Sequence, residues 1–305
     1  MSAPNPAAVI SVEAIQDRYR TQGYVCDRPL AMAIFLSLAM ERPLLLEGEA
    51  GVGKTEVAKV LAAVLGTRLI RLQCYEGLDV STAVYEWNYP RQMLEIRLME
   101  ARGEGHRAQA SDIFAEEFLI RRPLLQALEA DDGAAPVLLI DEVDRADEEF
   151  EAYLLELLAE YQVTVPELGS LRAQATPRIV LTSNRTREVH DALKRRCLYH
   201  WIDYPGFDKE LAIVRARLPG IDGDLAARVV EVVQRLRTRD LVKLPGIAET
   251  LDWAAALLTL GARELTPAVL GETFGVVVKY EEDLRRLRTE IASLLGSPGD
   301  GIPPA

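Results

Sequence analysis

The chain has 305 residues, 49% of them hydrophobic and 27% charged, which suits one large or two smaller cores and excludes a disordered polymer. Its formal net charge is −12, divided as −10 over residues 1–206 and −2 over residues 207–305. Such a surface repels the phosphate backbone that a non-specific nucleic-acid binder has to neutralise, so no nucleic-acid partner is expected. The longest nearly apolar run, residues 30–40, spans 11 residues, short of the roughly 20 that cross a bilayer, so no membrane span is expected. The first 25 residues lack a basic segment followed by an apolar one, and a cytoplasmic location without a secretory signal is expected. Cys26, Cys74 and Cys197 are far apart and form no CxxC or Cys/His cluster, which argues against a disulfide framework or a structural zinc site. His106, His190 and His200 show no metal-ligand spacing either.

In chain order, residues 1–11 contain two prolines and read as loose. Residues 11–21 and Leu30–Met40 read as helices, the second ending before Pro43. Residues 43–47 (PLLLE) form a short buried strand that runs through a glycine-rich turn into a helix over Lys54–Leu65, and Arg68–Cys74 is a second strand. Residues 75–118 are longer and more irregular than an ordinary crossover, with Tyr85, Trp87 and Tyr89 on one side if the segment is extended. Those aromatics serve either a docking surface or the packing of the segment onto the core.

A helix over Pro123–Glu129 follows, then a third strand at Val137–Ile140 and a helix over Glu148–Tyr161. A hairpin pairs Gln162–Pro166 with Leu171–Gln174, and strands follow at Arg178–Thr182 and Leu198–Ile202. Beyond Pro205-Gly206 the pattern is helical: Asp208–Arg217, Asp224–Thr238, Ile247–Leu260, Pro267–Thr273 and Tyr280–Leu295. Residues 296–305 read as a disordered tail. The alternation predicts an α/β fold with a mainly parallel sheet over residues 12–206, then a smaller all-α domain over residues 207–295.

Gly48-Glu49-Ala50-Gly51-Val52-Gly53-Lys54-Thr55 fits G-x-x-x-x-G-K-[ST] between a strand and a helix. Glycines let successive N–H groups turn toward phosphate oxygens, and the helix N-terminus adds its free donors. Lys54 then serves the β and γ phosphates of ATP, and the Thr55 hydroxyl ligates Mg2+. Residues 137–142 (VLLIDE) put two acids at the carboxyl end of a buried strand, where parallel sheets bind ligands. Asp141 belongs to the Mg2+ shell and Glu142 orients water for attack on the γ-phosphate. Arg178–Asn184 ends in a polar residue that reaches the same place if its strand lies beside the first. Asp191–Cys197 is a short helix ending in Lys194, Arg195 and Arg196, suited either to a positive charge delivered in trans or to a favourable helix C-terminus.

These motifs in this order, with a helical lid behind them, resemble the AAA+ ATPases over about residues 12–290. The segment 75–118, placed as an insertion into helix 2, and the hairpin 162–174 ahead of the sensor strand are similar to insertions of the MoxR group. Residues 43–48 (PLLLEG), 75–79 (YEGLD), 85–90 (YEWNYP) and 192–201 (ALKRRCLYHW) resemble its CoxD-type branch, associated with maturation of molybdenum–copper carbon monoxide dehydrogenase. The resemblance implies a P-loop AAA+ core with a parallel sheet flanked by helices. It implies a nucleotide contacted by Gly48–Thr55 and Glu56, with Tyr24 and Val25 at the adenine. It makes Asp141 and Glu142 Walker B, Asn184 sensor 1, and Arg195 with Arg196 the arginine finger. It further implies a homo-oligomeric, hexameric ring, a VWA-domain protein as partner and a client metalloenzyme. A sensor 2 arginine is missing from Pro245–Trp253, leaving Lys243, Arg239 or a neighbouring subunit as substitutes. Two further classes fit parts of the pattern: a nucleic-acid-directed ATPase, such as a loader or transcription activator, would need an aromatic-basic groove or an added module. A small-molecule kinase would need an acceptor pocket and no ring.

Overall fold

The computed structural model describes residues 11–102, 113–129 and 134–296. Apart from residues 11 and 296, the loose segments expected at residues 1–11 and 296–305 lie outside these, as does part of the segment 75–118. The chain forms two compact units. Among the described residues, the first takes those within 11–15, 28–47 and 55–201; the second takes those within 16–27, 48–54 and 202–296.

The first unit is built on a five-stranded sheet. Its strands are β1 (Leu44–Gly48), β2 (Leu69–Gln73), β5 (Val137–Asp141), β8 (Arg178–Ser183) and β9 (Leu198–Ile202), in the order β2-β5-β8-β1-β9. β2–β5, β5–β8 and β8–β1 are parallel. β1 and β5 are buried along their whole length, which is why both read as continuous aliphatic runs rather than alternations. Each fully buried Leu or Ile there contributes roughly 1.5–3 kcal/mol. β2 differs: Ile70 and Leu72 enter the core while Arg71 and Gln73 share the other, exposed face. Helix Lys54–Leu65 buries Val57, Ala58, Val60, Leu61 and Ala62. Helix Glu148–Glu160 buries Phe150, Leu154, Leu157 and Leu158 and starts at an Asp147 cap that accepts from Phe150 N.

Residues 85–89 are not one extended run. A short helix (Val80–Ala83) precedes β3 (Tyr85–Trp87), which pairs antiparallel with β4 (Leu119–Arg121). The chain then turns helical over Tyr89–Ala101, because Asn88 accepts from Arg91 N and Pro90 occupies the first turn. The three aromatics therefore do not share a face. Trp87 is 6% exposed, edge-on to Tyr85 and Phe114 at 6.3 and 5.1 Å between ring centres, whereas Tyr89 is 61% exposed. The docking reading fails for Trp87, and packing onto the core is what the indole does. The predicted hairpin forms as β6 (Gln162–Val165) and β7 (Gly169–Arg172), its second strand beginning two residues earlier than expected.

The second unit's helices run Phe207–Arg217, Gly223–Arg237, Ile247–Thr259, Pro267–Val277, Glu281–Leu287 and Ile291–Leu295, around a core that includes Val229, Val233, Trp253, Leu257 and Phe274. Two expectations are corrected. The helix from Pro267 continues past Thr273 because Phe274 and Val277 are buried. The single helix expected over Tyr280–Leu295 is two, interrupted at residues 288–290, where the Thr289 hydroxyl bonds back to the Arg286 carbonyl at 2.7 Å. No helix among the described residues is long and apolar enough to cross a membrane.

Candidate functional site

The glycine loop Gly48–Gly53 follows β1. Gly48 has φ 157°, and a Cβ there would stand 2.1 Å from the Ile202 carbonyl oxygen, so only glycine fits. Lys54 is buried, and its ammonium donates to the carbonyls of Gly48 at 2.8 Å and Glu49 at 2.7 Å. Val52 is buried, while Glu49 is exposed. Glu56 pairs with Lys59 at 3.3 Å. The Tyr24 ring lies 3.9 Å from where a Cβ on Gly53 would be, so this residue meets the loop; Val25 is half-buried beside it in sequence.

The start of helix Ile247–Thr259 approaches the loop as closely. Ala248 N donates to Gly51 O at 3.3 Å, and a Cβ on Gly246 would fall 2.9 Å from both Ala50 O and the Cα of Gly51. Where the resemblance puts a sensor 2 arginine, the chain carries Glu249, which accepts from Gly246 N at 2.9 Å. Arg239 lies 3.8 Å from Glu290. Arg237 is forked onto buried Glu210 at 2.7 and 2.8 Å and lies over the Tyr204 ring.

Asp141 and Glu142 close β5. Thr55 Oγ1 donates to Asp141 Oδ1 at 2.9 Å, and buried Thr182 donates to the same oxygen at 2.6 Å. Arg71 takes Oδ2, through Nη2 at 2.5 Å and Nε at 3.1 Å. The Glu142 backbone is left-handed, φ 57° and ψ 50°, with its N–H donating to Thr182 Oγ1 at 2.9 Å. Its carboxylate accepts from Asn184 Nδ2 at 3.2 Å on Oε1 and from Gln73 Nε2 at 3.0 Å on Oε2, and Arg145 Nε stands 3.1 Å from Oε2. Asn184 gets there because β8 lies between β5 and β1, the adjacency on which its assignment depended. Thr55, Asp141, Glu142 and Asn184 are thus one connected cluster.

Arg71, Gln73, Thr182, Asp144 and Arg145 are members that sequence reasoning missed. Buried Asp144 accepts from Asn184 N, Thr186 N and Thr186 Oγ1 at 3.1, 2.8 and 2.6 Å, holding the turn that carries Asn184. Arg71 and Gln73 had a signal: two polar residues alternating with buried ones at the end of an edge strand. Burial, with the Asp141 charge next, pushes the Cys74 thiol up to about 12, and burial does the same to Cys26 and Cys197, so all three free cysteines stay protonated.

Arg195 and Arg196 sit apart from that cluster's hydrogen bonds. They end helix Asp191–Arg196, whose N-terminus is capped by His190 Nδ1. Arg42 braces the other end, donating to the Arg195 carbonyl at 2.8 Å and the Arg196 carbonyl at 3.3 Å. Both side chains are exposed, and Arg195's has no hydrogen-bond or ion-pair partner among the described residues.

One hydroxyl and one carboxylate are a hard-oxygen donor set that fits Mg2+, a cation that keeps several waters and shares phosphate oxygens. Among the described residues no group of three or more His, Cys, Asp or Glu could hold a metal by itself. The AAA domain of the dynein-related subfamily matches residues 43–197. An uncharacterized protein of Staphylococcus epidermidis strain ATCC 35984 is 24% identical over 228 residues, covering 72% of this chain and 77% of that protein. One from strain ATCC 12228 is 25% identical over the same shares. Among solved structures, a mutant of Thermotoga maritima RuvB superposes with TM-score 0.50 at 16% identity, over 95% of this chain and 79% of that one. The structure described as the Thermotoga maritima RuvB Holliday junction branch migration motor gives 0.48 at 14% identity, over 96% and 82%. Identity at this level speaks for the fold alone, but the domain match spans just over half of the sequence around the cluster described above, and on that ground the chain belongs to the AAA domain family, dynein-related subfamily, and is an AAA+ ATPase.

Proposed function

We propose that this chain hydrolyses ATP with Mg2+ in a hexameric ring of its own copies and uses the cycle to remodel a client protein, as a MoxR-type ATPase of the CoxD-like branch. The observation that carries the chemistry is the Glu142 carboxylate, held by Asn184 and Gln73 at 3.2 and 3.0 Å next to an Asp141 joined to Thr55 at 2.9 Å. Asn184 and Gln73 fix the carboxylate so that Glu142 accepts a proton from the attacking water. Lys54 and the backbone N–H groups of residues 48–55 bind the phosphates, and Tyr24 covers the loop at Gly53. Mg2+, held through Thr55 and Asp141, supplies charge neutralisation on the β and γ phosphates. Arg195, with Arg196 behind it, reaches a neighbouring subunit's nucleotide, a role that suits an exposed guanidinium on a braced helix end.

The partner is a VWA-domain protein and the client a metalloenzyme, of which a molybdenum–copper carbon monoxide dehydrogenase-type enzyme is the first to try. Support for a docking role of the 75–118 insertion comes from the exposed Tyr89, Met93, Leu94 and Leu98 on helix Tyr89–Ala101 rather than from Trp87. The test of the chemistry is Glu142→Gln. It should keep affinity for a fluorescent ATP analogue within about threefold while turnover falls by about 10²–10⁴. Turnover within about threefold of wild type would remove Glu142 from the water-orienting role.

A further inference from the structure

Arg71 stands where neither nucleotide binding nor hydrolysis, as described, requires a cation. Both Nε and Nη2 of its guanidinium land on Asp141 Oδ2, and Nη2 also donates to Gln73 Oε1 at 2.6 Å. The other carboxylate oxygen, Oδ1, already takes two hydroxyls. Both oxygens of a buried acid, whose side chain is 4% exposed, are therefore engaged by the chain itself. A divalent cation that comes to Asp141 has to displace one of these groups or stand beside a positive charge. Thr55 is itself a proposed ligand, and Thr182 is buried in β8 with nowhere to turn. Arg71 is the group that can leave: its side chain is 49% exposed, and Gln73 Oε1 offers it a second acceptor.

We propose that Arg71 is a built-in counter-cation of the Asp141 site, competing with the divalent cation for Oδ2 and so setting how tightly Mg2+ is held. The proposal rests on the reading of Asp141 as part of the Mg2+ site. Like charges oppose each other strongly in a partly buried setting, and a hydrogen bond to a charged group is worth more than a neutral one. Arg71 thus keeps Asp141 neutralised and in place, and raises the Mg2+ concentration at which the site fills.

The experiment follows the tightening of mant-ADP binding as Mg2+ is added to the full chain, without hydrolysis. For Arg71→Gln the Mg2+ concentration giving half of the effect should fall about tenfold, which corresponds to about 1.4 kcal/mol. A fall of threefold or more supports competition. A smaller fall, no change, or a rise overturns it, a rise meaning that Arg71 orients Asp141 for the cation instead. Melting curves establish that the variant folds. If it does not, Arg71→Lys carries the test, one ammonium contact replacing the fork, with a fall of at least about twofold expected and none overturning the proposal. Asp141→Asn separates the two readings. If its Mg2+ dependence equals that of wild type, the Asp141 assignment itself is wrong; if that dependence is lost while Arg71→Gln is unchanged, only the role of Arg71 falls.

Discussion

Glu142 carries strain that its neighbours maintain. A left-handed backbone costs a residue with a Cβ roughly 1–2 kcal/mol, and here Thr182 holds the N–H while Gln73, Asn184 and Arg145 surround the carboxylate. Strain of this kind gathers at functional positions, because the surrounding contacts over-determine the conformation. Trp87 is the opposite case, a residue whose pattern fitted either a docking surface or core packing and whose burial makes it structural. Trp87→Ala should cost about 3–5 kcal/mol, read as a melting temperature lower by roughly 10 °C for a chain of this size. An unshifted melting curve would return the indole to the surface. Its N–H has no partner among the described residues, so the indole's hold on the insertion comes from packing and edge-to-face contact rather than from a hydrogen bond.

Among the elements, β2 shows how one alternation serves two purposes. Its apolar face completes the core, and its polar face delivers Arg71 to Asp141 and Gln73 to Glu142. The start of helix Ile247–Thr259 works through closeness instead of charge. Gly246 lies against the backbone of Ala50 and Gly51, so Gly246→Ala would drive its methyl group to 2.9 Å from two main-chain atoms that cannot rotate away. The loop Gly48–Gly53 must shift, and if it holds the phosphates as proposed, affinity for ADP should fall by at least about tenfold, equivalent to about 1.4 kcal/mol. Gly275→Ala is the control, since nothing lies within 4 Å of its added carbon and it sits inside a helix. It should add up to about 1 kcal/mol of stability and leave nucleotide binding alone. Equal ADP affinity in the two variants would show that the glycine contact does not couple the start of helix Ile247–Thr259 to the loop.

At the scale of the whole molecule, the proposed ring raises the question of which subunit Arg195 serves. Its helix is held at both ends, by His190 and by Arg42, yet the side chain meets no partner among the described residues. That arrangement suits a charge presented outward. Arg195→Ala and Glu142→Gln subunits should each be inactive, and mixed assemblies should regain part of the ATPase rate, because some sites then pair an intact Glu142 with an intact Arg195. No regain despite demonstrated co-assembly would mean that Arg195 acts within its own subunit or only structurally.

Much of this molecule is legible in its residue order, for physical reasons that differ by residue. β1 and β5 are short aliphatic runs, and burial on both faces leaves little else they could be. The loop Gly48–Thr55 is legible because the positive φ angles at residues 48, 51 and 53 favour glycine at those three positions. Residues 137–142 are legible because two acids that close a buried aliphatic strand stand at the sheet edge where ligands bind. Asn184 depended on a strand adjacency that the sequence left as a condition and the β8–β1 pairing supplied. What the tertiary structure alone decided was side-chain company. No local pattern says that Arg71 meets Asp141 across 70 residues, that Asp144 braces the turn at Asn184, or that Tyr89 leaves the face Trp87 occupies. Those outcomes follow from register between strands distant in the chain and from a helix cap at Asn88. Sequence periodicity constrains which face a residue joins, and only packing settles which residue it meets there.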